Sequence, residues 1–165
     1  MVSEQTQAQQ FQVVRVYTKD VSFESPKAPN IFLETDIKPQ VSLQLNNGAN
    51  KLADNIFEVT LQLTVTAKNG EDNLYLVEIT QGGVFRIEGF DDNARSMLLG
   101  AYCPSTLFPF ARQTIADMVM NGGFPQLLLE PINFDALYQQ HLREAAAKQQ
   151  AQQAAQSEQG EGGVH

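Results

Sequence analysis

Residues Ile56 to Lys68 carry the clearest pattern in the chain, a strict alternation of apolar and polar side chains. The apolar set is Phe57, Val59, Leu61, Leu63, Val65 and Ala67, and the polar set is Glu58, Thr60, Gln62, Thr64, Thr66 and Lys68. Successive side chains of a strand point to opposite faces, so this period predicts a half-buried β-strand. Its many β-branched residues agree with that prediction.

The same alternation, less strictly kept, predicts further strands over residues 11–24, 41–45 and about 74–87. In the first of them, one face is expected to carry Phe11, Val13, Tyr17, Val21 and Phe23, and the other Val14, Val16, Thr18, Asp20, Ser22 and Glu24. Strands with two unlike faces are typical of an antiparallel sheet that is covered on one side.

Breaks in the alternation indicate the connections. Pro26 and Pro29 predict a stiff crossing loop, because proline disfavours a central strand. Asn46-Asn47-Gly48 is typical of a turn, and residues 69–73 predict a hairpin. Gly82-Gly83, in the middle of the last strand, indicates a bulge or a close approach of another group to the backbone.

After Gly89 the apolar period changes to three and four, which predicts helices. Asp91 or Asp92 can cap the first, and Pro104 predicts a break or kink near Tyr102-Cys103-Pro104. Asn121-Gly122-Gly123 is a stop signal. Asn133 can cap a last helix, whose stripe consists of Phe134, Leu137, Tyr138, His141 and Leu142.

The predicted fold class is α+β: a four-stranded antiparallel sheet with two C-terminal helices packed on one face, followed by a disordered tail. We expect a flexible N-terminus over residues 1–10, a single domain over 11–144, and a flexible Ala/Gln/Gly-rich tail over 145–165. Ala and Gln can prolong the last helix into this tail by a few turns.

Composition narrows the class of protein. The chain has 165 residues, of which 42% are hydrophobic, and its 19 acidic and 11 basic side chains give a net charge of −8. This charge argues against general binding to nucleic acid or to anionic membranes, because both require basic patches. The single cysteine, the polar N-terminus and the absence of a long apolar run predict a cytoplasmic protein that is not inserted in a membrane.

Residues suited to catalysis are few. His141 lies on a predicted helix face, His165 ends the chain, and Cys103 is flanked by apolar residues and followed by proline. These residues form no metal-ligand spacing, and no phosphate-binding loop is present. We therefore expect that the protein binds no metal or cofactor and is not an enzyme.

Two surface features remain open to more than one interpretation. The crossing loop and the connector over residues 124–131 add apolar side chains, which predict oligomerisation, a hydrophobic groove or a larger core. Asp20, Glu24 and Glu78, beside Leu76, form either an ordinary solvated face or a docking surface for a basic partner.

Several motifs resemble the SecB family of bacterial protein-export chaperones. They are RVYTKDVSFESP (15–26), EITQGGVF (78–85), LGAYCP and LFPFAR (99–112), and GFPQL and PINFDAL (123–137). They occur in the family's order over about residues 11–142, and several long motifs in order are more specific than one short pattern.

The resemblance implies an ATP-independent cytoplasmic holdase. Such a chaperone binds unfolded precursors of exported proteins, keeps them translocation-competent and delivers them to the SecA motor. The resemblance also implies a homotetramer, built as a dimer of dimers.

The resemblance further implies three sets of site residues. The SecA-docking residues are Asp20, Glu24, Leu76 and Glu78. The client groove contains Phe32, Ile37, Val41, Leu43, Leu137 and Leu142. The oligomer interface contains Tyr75, Val77, Ile79 and Gln81.

Two other functions remain as alternatives. A toxin-linked SecB-like chaperone would serve one dedicated client, and the presence of the docking residues counts against it. A small-ligand binder or enzyme would need a closed pocket with convergent polar groups, for which the sequence gives no sign.

Overall fold

A computed structural model describes residues 8–160, with side chains to residue 157, and confirms the predicted α+β class. Its elements are β1 (Gln10–Glu24), a 3₁₀ turn (Asn30–Leu33), β2 (Gln40–Ala53), β3 (Ile56–Asn69), β4 (Asp72–Glu88), α1 (Asp92–Met97), a π-turn (Leu98–Tyr102), α2 (Cys103–Asn121) and α3 (Phe134–Gly160). The four strands form one antiparallel sheet in the order β1-β4-β3-β2.

Strand β3 keeps the pattern that its sequence predicted. All six of its apolar side chains are buried, and five of them are 0% exposed. β3 pairs with β2 on one side and β4 on the other, so two ladders of hydrogen bonds fix its register. A one-residue slip would move the whole apolar set out of the core.

Strand β2 is longer than its sequence predicted, and the turn expected at Asn46-Asn47-Gly48 is absent. Asn46 pairs with Gln62 and Gly48 with Thr60, so the strand continues to Ala53. The reversal lies at residues 54–55 instead, where Asn55 has φ 61°. The preference of Asn and Gly for turns is weak, and pairing with the long neighbouring strand β3 outweighs it here.

Strand β1 departs from strict alternation at two points. Its register with β4 shifts between Val13 and Arg15 and again between Thr18 and Asp20. Each shift leaves one extra residue, Val14 or Lys19, and such a bulge exchanges the two faces of the strand. Val16 and Thr18 therefore face the helices, while Tyr17 lies on the outer face. The predicted placement of Tyr17, Val16 and Thr18 is wrong for this reason.

The close approach predicted at Gly82-Gly83 is confirmed. A Cβ atom on Gly82 would collide with the ring of Tyr17 on the outer face. On the other face, a Cβ atom on Gly83 would lie 2.8 Å from Cδ2 of Leu107 in α2. The two glycines thus let a tyrosine and a helix pack directly on the backbone of β4.

The predicted break in the first long helix takes the form of the π-turn. Pro104 has no N–H, so the carbonyl of Gly100 loses its ordinary partner within the helix. The Nδ2 of Asn47 lies 3.4 Å from this carbonyl oxygen. Within the π-turn, Cys103 donates its N–H to the carbonyl of Leu98. A Cβ atom on Gly100 would be 2.6 Å from the ring of Tyr138, so α3 packs against this turn.

The helices cover one face of the sheet. α2 lies across β4 and β3 and buries Leu107, Ala111, Ile115 and Val119. The predicted caps are present, since Asp91 Oδ1 accepts from the N–H of Ala94 and Asn133 Oδ1 from that of Ala136. α3 packs through its first turns, where the ring of Phe134 meets that of Phe108 with centroids 5.8 Å apart.

The two ends of the chain were expected to be flexible. α3 continues through the Ala/Gln-rich segment to Gly160, and every side chain described after Tyr138 is exposed. The part of the tail over 145–160 is thus helical, as Ala and Gln favour, and packs on no described residue. Residues 1–7 and 161–165, to which the same expectation applied, lie outside the described residues.

Candidate functional site

An apolar cavity of about 400 Å³ opens between the crossing loop, the start of β4 and the connector after α2. Its lining residues are Glu34, Thr35, Ile37, Pro39, Val41, Leu74, Tyr75, Phe124, Pro125, Gln126 and Leu127. Glu34, Thr35 and Gln126 border it, but most of its lining surface is apolar. Such a lining favours non-directional burial of apolar groups over a specific polar ligand.

Two lining residues, Tyr75 and Phe124, belong to a cluster of four aromatic rings. The centroid of Tyr75 lies 5.9 Å from that of Phe23 and 5.0 Å from that of Phe124. Phe32, in the 3₁₀ turn, lies 5.5 Å from Phe124. Gly123, two residues after the end of α2, has φ 88°, and Phe124 follows it and packs on Tyr75 of the sheet. The ring cluster therefore links the crossing loop to the connector.

The structure gathers only part of the predicted client groove at this cavity. Ile37 and Val41 line it, and Phe32 packs on one of its wall residues. Leu43 is 38% exposed and lies two residues beyond Val41, on the same face of β2. Leu137 and Leu142 lie on α3 and do not line the cavity.

Sequence reasoning missed several lining residues. Leu74, Phe124, Pro125 and Leu127 were not assigned to the groove, although the connector was noted for its apolar side chains. Their signal is a run of apolar residues in an extended segment with no strand partner. Such a segment can only cover the core or border a groove.

The four predicted docking residues come together on the outer face of the sheet. Glu24 pairs with Leu76, and Asp20 pairs with Thr80, on adjacent strands. Glu78 pairs with Ser22 of β1 and with Thr64 of β3, whose Oγ1 donates to Glu78 Oε1 over 3.4 Å. Three carboxylates and one leucine thus form an acidic patch, which we call the docking face.

A polar cluster lies beside the docking face. The hydroxyl of Tyr17 and the Nζ of Lys19, at 2.8 Å, both donate to Oε1 of Glu58 on β3. The bond from Lys19, followed by that from Tyr17, lowers the pKa of Glu58. Burial, with the bond to Glu58, raises the pKa of Tyr17 to about 12. The cluster therefore keeps a carboxylate and a neutral phenol together.

The predicted interface residues are buried within the chain and not on a free surface. Tyr75, Val77, Ile79 and Gln81 are each 5% exposed or less. They face the helices because odd-numbered residues of β4 do so from Tyr75 onwards. Gln81 Nε2 donates to the carbonyl of Tyr17 over 2.8 Å, which ties β4 to β1.

The candidate catalytic residues are poorly placed for chemistry. Cys103 is buried, and burial raises the pKa of its thiol to about 12, so the thiol stays protonated at neutral pH. His141 is exposed on α3. Within residues 8–160, no group of three His, Cys, Asp or Glu side chains could hold a metal ion. In that same range, no helix has the length and apolar content to cross a membrane.

An antiparallel sheet that carries helices on one face, an open apolar cavity and an acidic outer face is an arrangement suited to binding polypeptides. The chain matches the family described as preprotein translocase subunit SecB over residues 4–145, and it belongs to the SecB family. As the resemblance in sequence implied, it has a chaperone role in protein export. That family is not enzymatic.

Proteins from two bacteria illustrate the similarity. The protein-export protein SecB of Alkalilimnicola ehrlichii is 52% identical over 146 residues, which cover 88% of this chain and 77% of that protein. That of Nitrosococcus oceani is 51% identical over 147 residues, covering 87% and 90%. The two alignments therefore cover most of this chain and most of each relative.

One solved structure has the same fold. It is the Mycobacterium tuberculosis SecB-like chaperone in complex with a ChAD peptide from the HigA1 antitoxin, with a TM-score of 0.63 and 14% identity. The likeness covers 74% of this chain and 90% of that one. At this identity it supports the architecture of the sheet and helices.

Proposed function

We propose that this chain is an ATP-independent holdase of the cytoplasm that binds unfolded export precursors in the apolar cavity and hands them to SecA. The observation that carries the proposal is the open cavity of about 400 Å³, walled by aromatic and aliphatic side chains. Unfolded chains expose apolar stretches of many sequences, and burial of apolar surface does not depend on direction. One such cavity can therefore accept many clients.

The groove extends beyond the cavity along β2. Val41 and Leu43 are both exposed on its helix-side face, and β2 is an edge strand of the sheet. An extended client can pair with such an edge through its backbone while its side chains enter the cavity. Leu142 of α3, 47% exposed, offers a further apolar contact in the proposed groove.

The docking face is the proposed contact with SecA. Asp20, Glu24 and Glu78 present negative charge around Leu76, a combination that suits a basic partner surface with an apolar centre. Charge of this kind raises the rate of association and sets orientation.

We further propose a homotetramer, a dimer of dimers. Phe110 on α2 is 51% exposed, and Val13, Val14 and Val21 on the edge strand β1 are 39–47% exposed. These side chains favour a protein partner over solvent. Val77, Ile79 and Gln81 are buried within the chain, so in this proposal they affect the assembly through the position of α2.

The proposal is tested by the refolding of a denatured export precursor without nucleotide, with the mass of the chaperone measured in the same run. We expect the wild type to delay refolding, and Val41→Asp to abolish most of the delay. Leu52→Asp is the matched control, because Leu52 is also exposed on β2, 55% against 44% for Val41, but does not line the cavity. An equal loss in both variants, or no delay by a folded tetramer, would contradict the proposal. Selective protection of one antitoxin would instead favour the toxin-linked function.

Docking is tested by the affinity for SecA. We expect Glu78→Lys to weaken binding at least tenfold, because a charge reversal on a docking face opposes the partner's charge. Glu88→Lys is the matched control, since Glu88 lies on the same face of β4, ten residues away. Unchanged affinity of Glu78→Lys, or equal losses in both variants, would place the docking face elsewhere.

A further inference from the structure

The bulge at Lys19 decides which face of the sheet Asp20 occupies. Tyr17 lies on the outer face and Thr18, paired with Gln81, on the helix face. In a regular strand Lys19 would then point outward and Asp20 inward. Because Lys19 is the extra residue, Asp20 pairs with Thr80 and points outward. Without this bulge, the docking face would lose Asp20.

The bulge is held by a residue of another strand. Glu58 of β3 accepts hydrogen bonds from Tyr17 and from Lys19, across the intervening strand β4. Tyr17 reaches Glu58 because Gly82, which has no side chain, lies under its ring. On the opposite face, Gln81 binds the carbonyl of Tyr17. The residues before the bulge are therefore fixed from both faces.

The residues after the bulge are fixed independently. Phe23 stacks on Tyr75, and its helix-side position keeps Glu24 on the outer face. An extra residue must therefore lie somewhere between Thr18 and Phe23. The bonds of Tyr17 and Lys19 to Glu58 favour Lys19 for that position.

We propose that Glu58 is a positioning residue for the docking face, because its bonds to Tyr17 and Lys19 hold the bulge that turns Asp20 outward. This inference rests on the proposed docking of SecA. When Glu58 is removed, the bulge can move towards Val21, and Lys19 then takes the outer position of Asp20. A positive charge replaces a negative one on the docking face, although no docking residue has been changed.

The test is a double-mutant cycle on SecA affinity with Asp20→Asn, Glu58→Ala and the double variant. We expect each single variant to weaken binding by about three- to tenfold, and the double variant by no more than the stronger single one. Such non-additivity is expected when one residue acts through the other. Client holding should be unchanged in all three variants, because the cavity lies on the other face.

Two further variants separate positioning from direct contact. Glu58→Gln keeps an acceptor oxygen for Tyr17 and Lys19 but removes the charge, so we expect it to bind SecA nearly as well as the wild type. Deletion of Lys19 removes this bulge and leaves Asp20 paired with Thr80 on the outer face, so it should restore the affinity of Glu58→Ala. Losses that multiply in the double variant, or equal losses in Glu58→Gln and Glu58→Ala, would overturn the inference.

The SecA affinities of these variants, compared with that of Glu78→Lys, distinguish a failure of this inference from a failure of the proposed docking. If Glu78→Lys weakens SecA binding and Glu58→Ala leaves it unchanged, the docking face stands and the positioning role is overturned. If neither Glu78→Lys nor Asp20→Asn has an effect, docking on this face is overturned and the positioning role with it.

Discussion

Strands β1 and β3 have almost the same length, 15 and 14 residues, and both show alternating side chains in their sequence. Only β3 keeps its alternation from end to end. β1 interrupts it twice, at Val14 and Lys19. The difference follows from position in the sheet: β3 has a partner strand on each side, whereas β1 lies at an edge.

Central and edge strands of this sheet therefore serve different functions. An extra residue in the middle of β3 would disturb two ladders and turn its apolar side chains out of the core, so β3 serves stability. At the edge, an extra residue disturbs one ladder only and turns side chains to a new face. β1 uses this freedom to bring Tyr17 to Glu58 and Asp20 to Glu78.

The largest expected effect lies in β3. Leu63→Ala should lower the free energy of unfolding by about 2–5 kcal/mol, because Leu63 is fully buried and its removal leaves a cavity. Urea denaturation measures this loss. Gln62→Ala, at the exposed neighbouring position, should change it by less than about 0.5 kcal/mol. A loss under about 1 kcal/mol in Leu63→Ala would show that the centre of the sheet tolerates change as the edge does.

A smaller effect is expected where β1 packs on β4. Gly82→Ala should cost about 1–3 kcal/mol, because the new Cβ atom meets the ring of Tyr17 and the ring must move. Gly48→Ala in β2 is the matched control, since its Cβ atom would lie 3.4 Å from Thr60 Oγ1.

A double variant makes this test specific. Tyr17→Ala should recover part of the loss caused by Gly82→Ala, because the obstacle is then absent. If the two losses simply add, or if Gly48→Ala costs as much as Gly82→Ala, the contact between ring and backbone is not the cause.

The smallest effect concerns pH. The pKa of Tyr17 is raised from 10.0 to about 12, so its contribution to stability is present below pH 10 and is lost as the pH rises from there through 12. Burial also raises the pKa of Tyr75 and Cys103, so stability falls in this range even without Tyr17. We expect a shallower fall in Tyr17→Phe, measured by urea unfolding between pH 8 and 12. Parallel curves for the two proteins would contradict the burial of this hydroxyl.

Features that depend on neighbouring residues in the chain were predictable. The alternation of β3, the caps at Asp91 and Asn133 and the break before Pro104 were all confirmed. Each rests on a local rule of periodicity, capping or a missing N–H.

Features that depend on distant partners were not predictable in this way. The face of Tyr17 is decided by pairing with β4 and by Glu58, 41 residues away in the chain. The strand at Asn46–Gly48 exists because β3 extends alongside it. In the cavity, Ile37 and Val41 followed from the resemblance, whereas Phe124 and Leu127 required the course of the connector.

Tyr75 and Leu76 are consecutive in β4 but belong to opposite sides of the sheet. Tyr75 borders the cavity, and Leu76 is the apolar centre of the docking face. Under the proposed function, a client in the cavity and SecA on the docking face would therefore lie on opposite sides of the same sheet. In that proposal neither partner would have to leave before the other arrives, so one chain could hold the client and SecA together during hand-over.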